Sequence, residues 1–415
     1  MRQRGFFLSV VALAALGLVG RCAYVLAFTR FRTSFDEFYY KFAAVSLAHG
    51  HGFRFTPGFF APVAEYAEHP PLTSIVLAPV ALVTGDNEFS MHVTVALAGA
   101  GVVVVAALLA REVAGMRAGV IAAAIATVYP NLWMNDGVLM AEAFATLATA
   151  GAVLCCYRLV RKPTVALAAT AGALCALAML SRGELVLLLS LLVLPVIFGI
   201  RTIEWASRFR LAGVAVGTAL LLVTPWVVYN LARFERPVLL SYGDGGVIEG
   251  ANCRRVYYGR DIGLWNGSCS TTRGLPENSV NAEAKRELGL DYAKSHLSRL
   301  PLVVTARVGR LWNVYQPIRT TEKFYGAVRP KWASFGGLAL YYVLVALGVG
   351  GVIALRRRRI PVLPLLAPLV VVTITAAVFY GTVRFRSPAE VSILVLAAVA
   401  LDALLRRRDP TRTPV

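Results

Sequence analysis

Along the chain, apolar residues come in blocks of about 15 to 25, separated by short polar or basic breaks. An α-helix needs about 20 apolar residues to cross a hydrocarbon layer of about 30 Å. The blocks predict spanning helices near Phe6–Phe28, Phe89–Ala110, Ala118–Trp133, Val138–Tyr157, Val165–Leu180, Leu185–Ile200, Leu211–Tyr229, Phe335–Leu355, Val362–Tyr380 and Val391–Leu405. The first reads as a retained anchor rather than a removed signal peptide, because its apolar run is long and lacks a small-residue cleavage site. Pro70–Gly85 is different. It is short, opens Pro-Pro and carries Pro79 inside, which predicts an interfacial or re-entrant helix.

The breaks orient the chain. With Pro70–Gly85 kept on the outer face, the basic connections share one side: Arg111/Arg117, Arg158/Arg161/Lys162, Arg201/Arg208/Arg210, Arg356–Arg359 and the tail from Arg406. Cytoplasmic loops carry such an excess. The expectation is therefore an all-α polytopic protein of about ten transmembrane helices in the cell (plasma or inner) membrane, with both termini cytoplasmic. Residues 29–88 would form a first outer loop with juxtamembrane helices, and residues 230–334 a long outer loop. No internal repeat or linker divides residues 1–415, so one membrane domain is expected.

Composition agrees with the pattern. Of 415 residues 57% are hydrophobic and 16% charged, and mean hydropathy is +0.64, which excludes a soluble globular or disordered chain. The net charge of +19 would suggest nucleic acid in a soluble protein. Here most of the surplus falls on the cytoplasmic side and reads as orientation signal. Nearly every acid falls on the outer side, which is left almost neutral.

Those acids gather at span ends. Ser34-Phe35-Asp36-Glu37-Phe38-Tyr39-Tyr40 follows the first span directly, and helical periodicity runs over Asp36–Ala48. Ser34 or Asp36 is placed to cap that helix, and acids at a helix N-terminus are favourable in themselves. Glu65-Tyr66-Ala67-Glu68-His69-Pro70-Pro71-Leu72 sets another acid and an imidazole at the mouth of the short helix. Further along come Tyr129-Pro130 with Asp136 and Glu142, then Arg182-x-Glu184, Pro225-Trp226-x-x-x-Asn230, and Arg384-Phe385-Arg386-x-Pro388-Ala389-Glu390.

In this order, the motifs resemble the GT-C superfamily of polyprenyl-phosphate-sugar-dependent glycosyltransferases. Protein O-mannosyltransferases (glycosyltransferase family 39-like) and the aminoarabinose transferase of lipid A are its familiar branches. The resemblance covers most of the chain and rests on an acidic pair after the first span and the E-(H/K)-P-P-L motif. Larger members carry a sizeable C-terminal extracytoplasmic domain that is not apparent here. His69 stands where the aminoarabinose branch has Lys, so neither sugar nor acceptor carries over.

The resemblance implies a GT-C-type bundle that transfers a monosaccharide from a polyprenyl-phosphate donor to an extracytoplasmic glycan, lipid or protein acceptor, in cell-envelope biogenesis. Such chemistry needs a base for the acceptor hydroxyl, cations for the departing phosphate and an apolar groove for the tail. It implies Asp36 as base with inversion, and Glu37 and Glu68 as orienting groups. Arg384, Arg386, Arg182, Lys41 and His69 would hold the phosphate, and Tyr39, Tyr40, Asp136 and Glu142 the sugar or acceptor. An ionised carboxylate needs no metal to act as base. Asp136 and Glu142 would be the residues to assist a divalent metal, as acids do in the oligosaccharyltransferase branch, but their spacing is not a metal signature, so the metal stays unassigned.

Three features remain. Cys253 and Cys269, the two cysteines outside the spans, read most simply as a disulfide in an oxidising compartment. Leu300–Tyr315 alternates Arg307 and Arg310 with apolar residues, like an interfacial helix that holds either donor phosphate or lipid headgroups. Arg21 lies within the first span, where it either serves a site or snorkels to the surface. The competing function is a transporter or flippase of lipid-linked sugars, which predicts inverted repeats and midplane polar residues that the Ala/Val/Leu-rich spans lack.

Overall fold

A computed structural model describes residues 3–29, 35–56, 63–269, 277–324 and 329–407; Ser34, a candidate cap, lies outside them. The protein is a helical bundle. Among the described residues six helices are long and apolar enough to cross a membrane by length and composition: Gln3–Thr29, Glu88–Ala114, Glu142–Arg161, Trp205–Leu231, Lys331–Arg357 and Val383–Arg406. The other four expected spans are shorter apolar helices, Met116–Val128, Val165–Ser181, Gly183–Gly199 and Leu363–Val378. The short segment after Pro70–Pro71 is the helix Leu72–Thr84, closed by Gly85 in the left-handed conformation at φ 62°. Among the described residues the only strands are Arg54–Phe55 and Ala64–Glu65, an antiparallel pair.

Two local rules redraw the expected segments. The apolar run Ala118–Trp133 is broken, because Tyr129 precedes Pro130 and is forced into extended conformation, ending Met116–Val128. Pro130 then starts a second helix, Pro130–Asp136, at the position proline favours. The next span accordingly begins at Glu142 rather than Val138. This break turns Asn131, Asn135 and Asp136 into the bundle.

Val383–Arg406 is the central element. Every residue from 385 to 400 is buried, as expected for a helix apolar on all sides. Helices approach it closely through small residues: a Cβ on Gly351 would lie 2.0 Å from the Leu396 carbonyl oxygen, and one on Gly172 2.1 Å from that of Ala215 in a neighbouring pair. Between apolar helices in lipid, such contacts supply the packing that hydrophobicity cannot.

Arg21 does not snorkel. It is fully buried, with Nε donating to Asp136 Oδ2 at 2.8 Å and Nη1 to the Gly17 carbonyl at 3.2 Å. Gly99 leaves the room, since a Cβ there would sit 2.3 Å from Asp136 Oδ2. Asp136, expected to bind sugar, acceptor or metal, is therefore the counter-ion of the first span.

The described residues between Trp205–Leu231 and Lys331–Arg357 are largely helical and pack against the bundle. Cys253 and Cys269 are joined in a disulfide with their Cα atoms 6.3 Å apart. Leu300–Leu311 is not a headgroup-facing basic helix, because Arg307 and Arg310 are 2% and 0% exposed. Arg307 donates to the carbonyls of Ala377, Val378 and Ala251, and Arg310 to those of Ile262 and Arg260. Ala377 and Val378 end the helix Leu363–Val378, where carbonyls lack intrahelical partners and cations are favoured. The two arginines are pins, and neither reaches phosphate or lipid.

Breaking a buried ion pair from one side leaves an uncompensated charge, at a cost of about 3 to 5 kcal/mol. Asp136→Leu alone should lower the melting temperature of the purified protein sharply, whereas Arg21→Met with Asp136→Leu should recover most of the loss. Additive losses in the double variant would show that the two side chains do not pair.

Candidate active site

Asp36 lies in the first turn of Phe35–Ala48, and its neighbours on that helix diverge as helical geometry requires. Glu37 turns inward, 1% exposed, and accepts the Leu139 N–H at 2.9 Å. Tyr39 and Tyr40 turn toward His69. The Tyr39 hydroxyl donates to the His69 carbonyl at 3.1 Å, its ring meets the imidazole edge-on at 4.9 Å, and Tyr40 stacks on the imidazole at 5.2 Å. So clamped, His69 Nε2 stands 3.7 Å from Asp36 Oδ1.

The other carboxylate oxygen faces a cation. Arg384 Nη1 donates to Asp36 Oδ2 at 2.5 Å, and its Nε donates to Glu142 Oε1. Glu142 Oε1 also accepts from Arg182 Nη1 at 2.9 Å, and Arg182 in turn binds Glu184 Oε1 at 2.7 Å. The result is a line of alternating charge, His69, Asp36, Arg384, Glu142, Arg182, Glu184, drawn from five separate stretches of chain. Glu142 is 1% exposed and its Oε2 has no hydrogen-bond partner among the described residues.

Burial alone would push Asp36 up, but the Arg384 guanidinium and the His69 ring outweigh it and hold the carboxyl well below the usual range. Burial would pull His69 down, yet Asp36 outweighs it and the imidazole is raised above its ordinary 6.5. Burial raises the phenols of Tyr39 and Tyr40, which stay protonated. Asp36 is thus held ionised between the His69 ring and the Arg384 guanidinium.

A cavity of about 790 Å³ opens on this line. Asp36, Tyr40, Glu68, His69, Arg182, Glu184 and Arg384 all line it, with Leu239, Leu240, Leu264, Trp265, Tyr380 and Phe385 among its apolar walls. Six expected site residues meet here: Asp36, Tyr40, Glu68, His69, Arg182 and Arg384. Glu142 lies just behind them, beneath both arginines, and Tyr39 supports His69 from outside the lining.

Other expected site residues sit elsewhere. The Arg386 guanidinium is spent on Glu390 at 2.7 Å, on the Leu311 carbonyl at 3.0 Å and over the Tyr341 ring at 3.6 Å. Only Phe385 separates it from Arg384, and the 3-10 turn they share aims the two side chains apart. Lys41 binds Glu88 at 2.5 Å, away from the cavity. Glu37 and Asp136 hold the scaffold. The Pro225-Trp226-x-x-x-Asn230 motif also works from behind: Trp226 Nε1 donates to the Leu240 carbonyl and Asn230 Nδ2 to that of Leu239, fixing the wall they form. Trp265, Tyr380 and Lys285 line the cavity without any motif to announce them.

Asp136 and Glu142 do not fit a divalent metal. Each is bound by guanidinium groups, and they point to different partners. Among the described residues no group of three His, Cys, Asp or Glu side chains is arranged to hold an ion.

The comparisons follow the geometry. A sequence profile of the dolichyl-phosphate-mannose-protein mannosyltransferase family matches residues 68–229. The oligosaccharyltransferase AglB of Archaeoglobus fulgidus, solved with an inhibitory peptide and a dolichol-phosphate, superposes with a TM-score of 0.61 at 15% identity, over 99% of this chain and 52% of that one. Its apo form gives 0.62 at 15% identity, over 100% and 53%. The chain has the GT-C fold. It spans about half the length of these structures. ArnT from Cupriavidus metallidurans bound to undecaprenyl phosphate gives 0.44 at 15% identity, over 98% and 79%. No curated protein sequence matches. In this GT-C fold the matched stretch contains Glu68, His69, Glu142, Arg182 and Glu184, whereas Asp36 and Arg384 lie outside it.

His69 supplies a pH test. Its raised value means that its ion pair with Asp36 adds full stability below the ordinary 6.5, and that this contribution is lost as pH rises through the raised value. His69→Gln should therefore lower the melting temperature most near about pH 6 and progressively less toward about pH 9. An equal loss at both ends would remove the pair.

Proposed function

We propose that this protein is a membrane glycosyltransferase that moves a monosaccharide from a polyprenyl phosphate to an acceptor hydroxyl outside the cytoplasm. The observation that carries this reading is the Asp36 carboxylate held on the cavity wall by Arg384, beside His69 and Arg182. The GT-C fold, the mannosyltransferase profile and the dolichol-phosphate of the archaeal enzyme support the donor class. The basic connections on the other side of the bundle support an extracytoplasmic site.

The donor phosphodiester carries one negative charge. Arg384, Arg182 and protonated His69 are the cations of the Asp36 cluster able to receive it, the arginines through paired N–H donors. Engaging phosphate draws Arg384 off Asp36. The carboxylate then loses the partner that depressed its basicity, so it becomes a competent acceptor only when donor is present.

The acceptor oxygen attacks the anomeric carbon from the face opposite the phosphate and its proton passes to Asp36. The new bond joins acceptor oxygen to the anomeric carbon; the bond broken joins that carbon to the phosphate oxygen. Attack opposite the leaving group inverts the centre. Polyprenyl phosphate departs as a monoester with a second negative charge, which the same cations stabilise.

Asp36→Asn should reduce transfer from radiolabelled polyprenyl-phosphate sugars by about 10² to 10⁴-fold while the protein stays folded, the range for losing a general base. The assay is run with polyprenyl-phosphate mannose, arabinose, glucose and aminoarabinose as donors. Undiminished transfer by Asp36→Asn would remove Asp36 as base, and no transfer from any donor by the wild type would count against the class.

A further inference from the structure

Trp265 has no part in the chemistry above, yet it stands in the wall of the same cavity, 43% exposed. Its setting is rigid. The indole Nε1 donates to the Gly246 carbonyl at 3.1 Å, and the next residue, Asn266, donates its N–H to the Gly250 carbonyl at 3.0 Å. The ring lies against two glycines: a Cβ on Gly250 would come within 2.2 Å of Nε1, and one on Gly267 within 3.0 Å of the far edge. The Cys253–Cys269 disulfide encloses the segment. Arg310 holds the Ile262 carbonyl at 2.6 Å, and the Gly381 N–H donates to the Gly263 carbonyl at 2.7 Å.

An indole whose single donor is already spent on backbone gains nothing polar from facing water. Its exposed apolar face is a cost unless something covers it. From Trp265 a line of rings leads to the charged centre: Tyr380 at 6.5 Å, Phe385 a further 4.7 Å on, and the Arg182 guanidinium 5.1 Å from Phe385. Lys285 and Glu68 line the same cavity, and neither is taken up by a hydrogen bond or salt bridge among the described residues.

We infer that Trp265 is a stacking platform for a sugar ring of the acceptor, which makes the acceptor a glycan; this rests on the transferase reading above. A pyranose or furanose has a C–H face that matches an aromatic face and a rim of hydroxyls that matches Lys285 and Glu68. A prenyl tail does not suit the position, because Trp265 lies outside the long apolar helices. A peptide added as a strand would need a sheet edge, and the two-residue strands among the described residues do not line the cavity. Trp265 is thus a specificity residue that binds acceptor and leaves the donor chemistry to Asp36 and Arg384.

Saturation-transfer NMR on the full chain in lipid nanodiscs tests this without needing turnover. The probes are methyl glycosides of mannose, galactose, glucose and arabinose, with geraniol and a Ser/Thr peptide as comparison ligands. Wild type should saturate the ring C–H protons of at least one glycoside. Trp265→Phe should bind within about twofold, whereas Trp265→Ala should weaken binding roughly five- to tenfold, the size of one aromatic contact. Gly250→Ala, which displaces the indole without removing it, should weaken binding similarly. Both variants must keep the wild-type elution profile and an unreactive Cys253–Cys269 pair. Saturation of no glycoside, equal saturation in Trp265→Ala, or saturation confined to geraniol or peptide would overturn the platform. The Asp36→Asn transfer assay reports separately: if that variant still transfers while Trp265→Ala loses glycoside binding, the assigned base falls and the subsite stands.

Discussion

A carboxylate and a guanidinium removed from water must find each other, and the site is organised around one such obligation. Arg384 bridges Asp36 and Glu142, so the start of the second helix, the start of the third long helix and the first turn of the central helix are tied at one point. Arg182 extends the tie to Glu184. An isolated charge in this setting would cost far more than the pair returns. These residues therefore hold one another in place, with Asp36, Arg182 and Arg384 on the cavity wall.

A second set of arginines shows the same physics without carboxylates. Arg307 and Arg310 are buried and held by neutral oxygens, mostly backbone carbonyls that include the last ones of Leu363–Val378. Those carbonyls have no partner within their own helix and carry the negative end of its dipole. The arginines thereby dock the segment between the fourth and fifth long helices onto the bundle and set the wall that carries Trp265. Arg21 of the first helix is fastened by a carboxylate instead, that of Asp136 in Pro130–Asp136. The polar groups of the interior thus divide into those that fasten helices together and those that face the cavity.

Much of this was legible in the chain. The apolar blocks located the helices, because only a long apolar run is stable in lipid, and the prolines at 70 and 71 marked where the short helix begins. Asp36, Glu68, His69, Arg182 and Arg384 were marked by motif and do line one cavity. The residues beside them were not separable by sequence. Asp36 and Glu37 are adjacent acids, yet the helical turn of about 100° per residue sends one to the cavity and the other to the Leu139 amide. Arg384 and Arg386 look alike in the chain, yet only Arg384 faces the cavity. Asp136 and Glu142 read as a pair and are separated by the turn between the end of Pro130–Asp136 and the start of Glu142–Arg161.

The sequence by itself determined the class of molecule, the positions of its helices and the short list of residues able to do chemistry. These follow from local rules: hydropathy over about 20 residues, proline's fixed backbone and the charge of each side chain. Only the tertiary structure decided which charged residues are spent on each other and which remain for a ligand. That choice depends on partners far apart in the chain, such as 36 with 384, 21 with 136 and 307 with 377, and on the absence of a Cβ at Gly99 that lets 21 and 136 approach. Pairing energy in a water-poor interior is set by distance in space, and spacing along the chain carries no record of it.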